Sequence, residues 1–272
     1  MRASRWYTVS GLGMAALFIA PIIWMVAASL RPESLLFGPG PGAGARGLTG
    51  EHYRALFAER AFVIPIGNSL IVAAFTTAVA VPVAALCAYA IARLPMPGKG
   101  PLLALLLAVS MFPQISVVAP LFLALRGLHL IDTYPGLVLP HAAFATPLAV
   151  WLLTAFFRQM PRELEEAAML DGASRLRIMR DVVFPLAAPA LASTAILTFL
   201  FSWNEFLFAL SFTLGPERQT VPVAITLFRG RYQVPWGQVL AAAVVATIPV
   251  ALIVFAFQRR IVAGLTAGAV KA

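Results

Sequence analysis

Six stretches of the chain, at residues 11–30, 67–92, 101–125, 135–157, 186–212 and 237–257, are apolar over roughly the 20 residues a helix needs to cross a hydrocarbon core. No water is available there to satisfy an unpaired backbone, so each stretch is expected as a helix. The fold class that follows is all-α, a polytopic membrane protein of about six transmembrane helices. Composition agrees: 61% of the 272 residues are hydrophobic and 11% are charged, against about 25% charged in soluble proteins. The formal net charge of +9 does not point to nucleic acid, because the basic residues fall singly or in pairs between apolar runs and build no aromatic-interleaved stripe. Cys87 is the sole cysteine, which excludes an intrachain disulfide and a cysteine-based metal site.

The first apolar run follows Arg2 and Arg5 and ends in Val26-Ala27-Ala28-Ser29, small residues of the kind a signal peptidase accepts. Its length exceeds the roughly 7 to 15 residues of a signal-peptide core, and it is read as a retained first helix. With the N-terminus cytoplasmic, inside segments carry twelve of the twenty basic residues, which favours that orientation. The loop Phe37-Gly38-Pro39-Gly40-Pro41-Gly42-Ala43-Gly44 cannot hold a helix. A short amphipathic helix is expected after it, capped by Thr49, with Tyr53, Leu56 and Phe57 on one face. Prolines at 82, 113, 120, 147, 189 and 249 fall within the spans, and each removes a backbone donor and invites a kink.

The longest strongly charged segment, 158–184, reads as two short helices and a turn. Pro161 is placed to open the first, and Glu163, Glu165 and Glu166 lie where its N-terminal dipole favours negative charge. Gly172 closes it. Ser174 can cap the second, in which Leu176, Met179 and Val183 recur on one side, and Pro185 marks the return to the membrane. By periodicity alone the segment is also consistent with an amphipathic connector lying on the membrane surface.

The run Glu166-Ala167-Ala168-Met169-Leu170-Asp171-Gly172, nine further residues and then Val182-Val183-Phe184-Pro185 resembles the EAA loop of ABC importer permeases. The likeness extends along nearly the whole chain to the maltose- and trehalose-type carbohydrate permeases. It includes Asn68-Ser69-Leu70, Met111-Phe112-Pro113-Gln114, Trp203-Asn204-Glu205-Phe206 and the tail from Gln258 to Lys271. The resemblance implies a type I importer fold with residues 1–272 as one transmembrane permease domain, a coupling loop at 158–185 and a tail at 258–272. It implies a subunit of the cell (plasma or inner) membrane, with both termini cytoplasmic, that forms half of a pathway for a sugar, a disaccharide such as trehalose or maltose. The implied partners are a second homologous permease, two cytoplasmic ATPases, an extracytoplasmic sugar-binding protein and membrane lipid. ATP and magnesium would be bound by the ATPases, leaving this chain without a cofactor.

Glu166 is then the anchor to the ATPase, Ala167 and Ala168 allow close approach, and Asp171, Gly172, Arg175 and Pro185 complete the coupling set. The tail residues Gly264, Leu265, Thr266, Gly268 and Lys271 match a segment that reaches into the ATPase dimer in the maltose-type family. Gln114, Trp203, Asn204 and Glu205 are the candidate sugar-facing groups, since amides and a carboxylate match hydroxyls; the same residues could instead join helices within the permease pair. No phosphate-binding loop is present, since Pro97-Gly98-Lys99-Gly100 lacks the spacing and the hydroxyl, and no HExxH or GxSxG motif occurs. His52, His129 and His141 are scattered along the chain, which disfavours a histidine metal site. The alternative mechanism is a proton-coupled secondary transporter using Glu205, the one carboxylate deep in an expected span.

The orientation is open to direct measurement. In a Cys87→Ala background, a cysteine introduced at Gly44 is expected to react with an impermeant thiol reagent in intact cells, and one at Arg175 only after permeabilisation. The reverse pattern would invert the topology.

Overall fold

The computed structural model describes residues 2–36, 47–228 and 234–267, and every regular element among them is helical. In chain order these are α1 (Arg2–Ser29), α2 (Glu33–Leu36), α3 (Glu51–Ala58), α4 (Val63–Arg93), α5 (Lys99–Ser110), α6 (Gln114–Gly127), α7 (Tyr134–Gln159) and α8 (Glu163–Leu170). There follow α9 (Arg175–Ile178), a π turn (Met179–Val183), α10 (Phe184–Leu186), α11 (Ala188–Trp203) and α12 (Leu207–Phe212). A 3₁₀ turn (Pro216–Arg218), α13 (Val221–Thr226) and α14 (Trp236–Ala267) complete the order. The chain packs as two compact units, Met1–Ile64 with Ala224–Pro249, and Pro65–Val223 with Val250–Ala272.

Among the described residues, four helices are long and apolar enough to span a membrane: Val9–Ser29, Val63–Arg93, Tyr134–Gln159 and Trp236–Gln258. The other two expected spans are not straight helices. Residues 101–125 are divided between α5 and α6, which meet at 88°. Pro113 lacks an N–H and disfavours helical backbone at Phe112, so the chain stops at Met111 and restarts from an extended Pro113. Residues 186–212 divide twice: α9–α10 meets α11 at 78° beside Ala187, and α11 ends at Trp203, before α12. Of the prolines expected to kink the spans, Pro113 and Pro189 sit at such breaks; Pro82, Pro120, Pro147 and Pro249 lie inside continuous helices.

In the first unit the connector after α1 is held by polar contacts. The Ser29 and Tyr53 hydroxyls lie 2.7 Å apart, and His52 Nε2 lies 2.8 Å from the Arg31 carbonyl oxygen. Glu33 accepts from the Trp236 and Gly237 amides at 2.8 and 2.9 Å, which caps α14 with an anion. The α3 helix starts one residue later than the Thr49 cap requires. Its N-cap is Gly50, and the Thr49 hydroxyl accepts from the Glu51 amide instead. His52, Ala55 and Leu56 form its buried side, while Phe57 is 43% exposed, contrary to the expected face.

The second unit is built on close helix contact. Ala80, Ala84 and Ala88, buried at four-residue spacing on α4, present almost no side chain, which lets backbones approach without a hydrophobic driving force. One core cluster joins Ile91 of α4 to Val150, Leu153 and Phe157 of α7 and to Ile178, Met179 and Val183 of the connector. A second joins Val72, Leu125 and Leu137 to Phe208 and Phe212 of α12. At the start of α7, Thr133 caps the helix by accepting from the Gly136 amide, and its hydroxyl donates to the Leu130 carbonyl. A Cβ on Gly136 would run into that same Leu130 carbonyl oxygen, a backbone group that cannot step aside. Gly136→Ala is therefore expected to cost about 1–3 kcal/mol, read as a lower unfolding midpoint in detergent. Gly67→Ala, where a Cβ meets open space in α4, is expected to leave the midpoint unchanged or raise it.

Candidate functional site

The segment 158–185 forms a compact turn between helices. The α8 helix opens directly after Pro161 and Arg162, with Glu163, Glu165 and Glu166 in its first turn, facing the positive end of the helix dipole. It closes on Gly172 at φ +80°, with the Gly172 amide donating to the Met169 carbonyl and the Ala173 amide to the Ala168 carbonyl. That pair of bonds is the Schellman arrangement, and only glycine adopts this left-handed backbone without a Cβ penalty. A Cβ at Gly172 would touch nothing within 4 Å, so backbone conformation rather than space requires glycine here. Ser174 caps α9, its hydroxyl accepting from the Arg177 amide.

Of the expected coupling residues, Glu166, Ala167, Asp171, Gly172, Arg175 and Pro185 are exposed, and Ala168 is half-buried against the core. Leu170 and Leu176 are 90% and 71% exposed, two large apolar side chains left uncovered at the turn. The placing of Leu176 corrects the expected face of the second helix. The π turn at Met179–Val183 widens the helix and moves its inner face to Ile178, Met179 and Val183.

The residue next to the expected anchor is the one turned inward. Glu165 is the buried residue of α8, its Oε1 lies 2.7 Å from Arg93 Nε, and its Oε2 accepts from the Tyr89 hydroxyl at 3.0 Å. Arg93, the last residue of α4, also donates through Nη2 to the Met160 carbonyl at the end of α7. Beside this node lies a cleft lined by Arg162, Glu166, Met169 and Arg175. Neither Glu165 nor Arg93 stands out in sequence, since nothing local marks which acid of a Glu-Glu pair meets a cation 72 positions upstream.

The second candidate cluster lies at the break between α11 and α12. Glu205 is 6% exposed, and its two carboxylate oxygens accept from the amides of Phe208 and Ala209 at 2.8 and 3.0 Å. His141 Nε2 lies 3.0 Å from Glu205 Oε2, and its Nδ1 lies 2.8 Å from the Ser202 hydroxyl, which in turn donates to Thr76. This buried chain joins α4, α7 and α11 to the break. Glu205 is thus turned into the protein, where it joins helices, the second of the two roles open to it in sequence, and His141 lies beside it. Trp203 is likewise buried, stacked on Phe199 with ring centroids 6.0 Å apart. Asn204 is exposed, with its amide donating to the Leu200 carbonyl, and Gln114 is half-buried at the first position of α6. The two amide side chains thus sit at two of the helix breaks, Gln114 after the α5–α6 bend and Asn204 between α11 and α12.

The expected tail begins ten residues before the end of a continuous helix, because α14 runs through Gly264, Leu265 and Thr266 to Ala267. Gly268 and Lys271 lie outside the described residues.

These features meet a clear likeness among known proteins. Residues 80–267 match the family described as binding-protein-dependent transport system inner membrane component, and the chain belongs to that family of transport permeases. The trehalose transport system permease protein SugB of Mycobacterium tuberculosis is 44% identical, over 99% of this chain and 98% of the relative. The trehalose/maltose transport system permease protein MalG of Thermococcus litoralis is 40% identical, over 97% and 95%. A chain from the crystal structure of a bacterial ABC transporter involved in the import of the acidic polysaccharide alginate superimposes with a TM-score of 0.77 at 22% identity, covering 95% of this chain and 98% of that one, which shows the fold.

A buried carboxylate that caps a helix and holds a histidine has a measurable signature. Glu205→Ala and His141→Ala are each expected to cost about 3–5 kcal/mol of stability, because each leaves a buried partner unmatched. The double variant is expected to cost less than the two together, as a double-mutant cycle by denaturant unfolding would report. Unchanged stability together with an altered proton dependence of uptake would restore Glu205 as a proton carrier.

Proposed function

We propose that the chain acts as a single permease domain forming half of the pathway of an ATP-driven disaccharide importer, of the trehalose or maltose class. One observation carries the substrate class: identity of 44% over 99% of the chain to a trehalose permease. The coupling part is supported by the outward face of α8 and its turn, where Glu166, Leu170 and Leu176 are exposed and available to a docking cleft. Partner ATPases, with their ATP and magnesium, a second permease and an extracytoplasmic sugar-binding protein complete the reading. A solved relative of this fold, with a TM-score of 0.67, was crystallised in complex with an alginate pentasaccharide-bound periplasmic protein, in keeping with such a partner. The N-terminus, the loop at 158–185 and the C-terminus face the cytoplasm, where an ATPase must sit.

Gln114 and Asn204 are the side chains we assign to the sugar, since each amide both donates and accepts. The secondary-transport alternative lacks an open carboxylate, because both oxygens of Glu205 are engaged.

The test is reconstitution of the purified complex in lipid vesicles. ATP hydrolysis is expected to rise when sugar-loaded binding protein is added, and uptake is expected to be indifferent to a proton gradient. Glu166→Ala and Gly172→Val are expected to insert in the membrane yet lose transport, the second because a left-handed residue with a Cβ costs about 1–2 kcal/mol. Removal of residues 265–272 is expected to weaken the ATPase response while leaving sugar binding intact. Gradient-driven uptake without ATP, or full transport in both loop variants, would refute the reading.

A further inference from the structure

We propose that Arg93 and Glu165, with the Tyr89 hydroxyl, form a strut that transmits movement of α8 into the helices of the second unit, and that they are positioning residues for transport. This rests on the reading of α8 as the element that docks the ATPase.

The buried residue of this eight-residue helix is Glu165, a carboxylate, where a leucine or methionine would satisfy burial more simply. Apolar groups of similar volume would serve stability equally well or better in place of a buried ion pair. What an ion pair adds is direction. An apolar contact is indifferent to small sliding, whereas this pair, 2.7 Å apart, is fixed from both sides by directional hydrogen bonds, from the Tyr89 hydroxyl to Glu165 and from Arg93 to the Met160 carbonyl.

The geometry of Arg93 extends this argument. One guanidinium binds Glu165 of α8 and the Met160 carbonyl at the end of α7, and it is itself the last residue of α4. Three helix ends therefore meet on one side chain, with 5% of Arg93 and 9% of the Glu165 side chain exposed. The α4 helix is continuous over 31 residues and also carries Thr76, which accepts from Ser202 in the chain leading through His141 to Glu205. A displacement of α8 is carried along the continuous α4 helix, through Thr76 and Ser202, to the break between α11 and α12, beside Asn204. Glu166, the next residue along α8 and exposed in the adjoining cleft, is left to meet the ATPase.

The test uses the complete reconstituted complex, with three readouts: ATPase recovered with the permease, basal hydrolysis, and its stimulation by sugar-loaded binding protein. Glu165→Gln and Arg93→Gln are expected to retain the ATPase and basal hydrolysis while stimulation falls by about tenfold or more, within the span of ordinary coupling free energies. The Arg93→Gln/Glu165→Gln double variant is expected to be no worse than the worse single one, since the two residues act as one unit. Stimulation within about twofold of the unaltered complex in both single variants would overturn the strut. So would a transport loss fully explained by less assembled complex. If the single variants cannot be recovered from the membrane, Arg93→Lys and Tyr89→Phe decide: lost stimulation with ATPase retained supports the strut, and unchanged stimulation overturns it. Failure of the docking reading would look different, as an unaltered permease that retains no ATPase.

Discussion

A helix that stops inside or beside a membrane frees backbone groups that hydrocarbon cannot hydrogen-bond, and the protein has to supply partners for them. Most of the polar side chains placed here meet that demand. Glu205 accepts from the two amides that open α12, Glu33 does the same for α14, and Thr133 does it for α7. Arg93 reaches the carbonyl at the end of α7. A helix end is therefore a place where a side chain, near in sequence as Glu205 and Thr133 are or distant as Glu33 and Arg93 are, takes over the work of the helix ladder. The break between α11 and α12 also leaves the Asn204 side chain exposed.

The second consequence concerns charge. A carboxylate taken out of water has to be paired, and the chain pairs two of them in different settings: Glu165 with Arg93 where α4, α7 and α8 meet, and Glu205 with His141 at the α11–α12 break. Both pairs touch α4, the former directly and the latter through Ser202 and Thr76. An importer of this family requires ATP binding at one end to alter a pathway at another, and coupling of that kind needs packed elements that move as units. A continuous helix links the two polar nodes, while the alanine contacts along it permit neighbouring helices to lie close.

How much was legible in the sequence depended on the distance over which each signal acts. The Gly172 turn and the Ser174 cap are local, and both occur as read, because a positive φ or a cap is decided by residues within a turn of one another. The face assigned through Leu176 was misplaced because a π turn changes the period that the reading assumed, and the sequence carries no clear mark of a π turn. Glu165 and His141 were passed over for a different reason. Their partners lie 72 and 64 positions away, and pairing across such separations depends on how the helices pack.

Apolar length by itself determined that this chain is a membrane protein of helices, and the motif spacing determined its family, because both rest on properties carried by contiguous residues. Two expected spans nevertheless turned out to be bent or broken, at 88° and 78°, since hydrophobicity measures the cost of meeting water and says little about where a helix ends. Only the tertiary structure decided which polar side chains face outward and which hold the protein together. Glu166 is exposed and Glu165 buried, Asn204 exposed and Glu205 buried, although the members of each pair are adjacent in the chain. The physical reason is direction: successive helical residues such as Glu165 and Glu166 point about 100° apart, Asn204 and Glu205 part at a helix break, and the packing of the neighbouring helices selects what is enclosed.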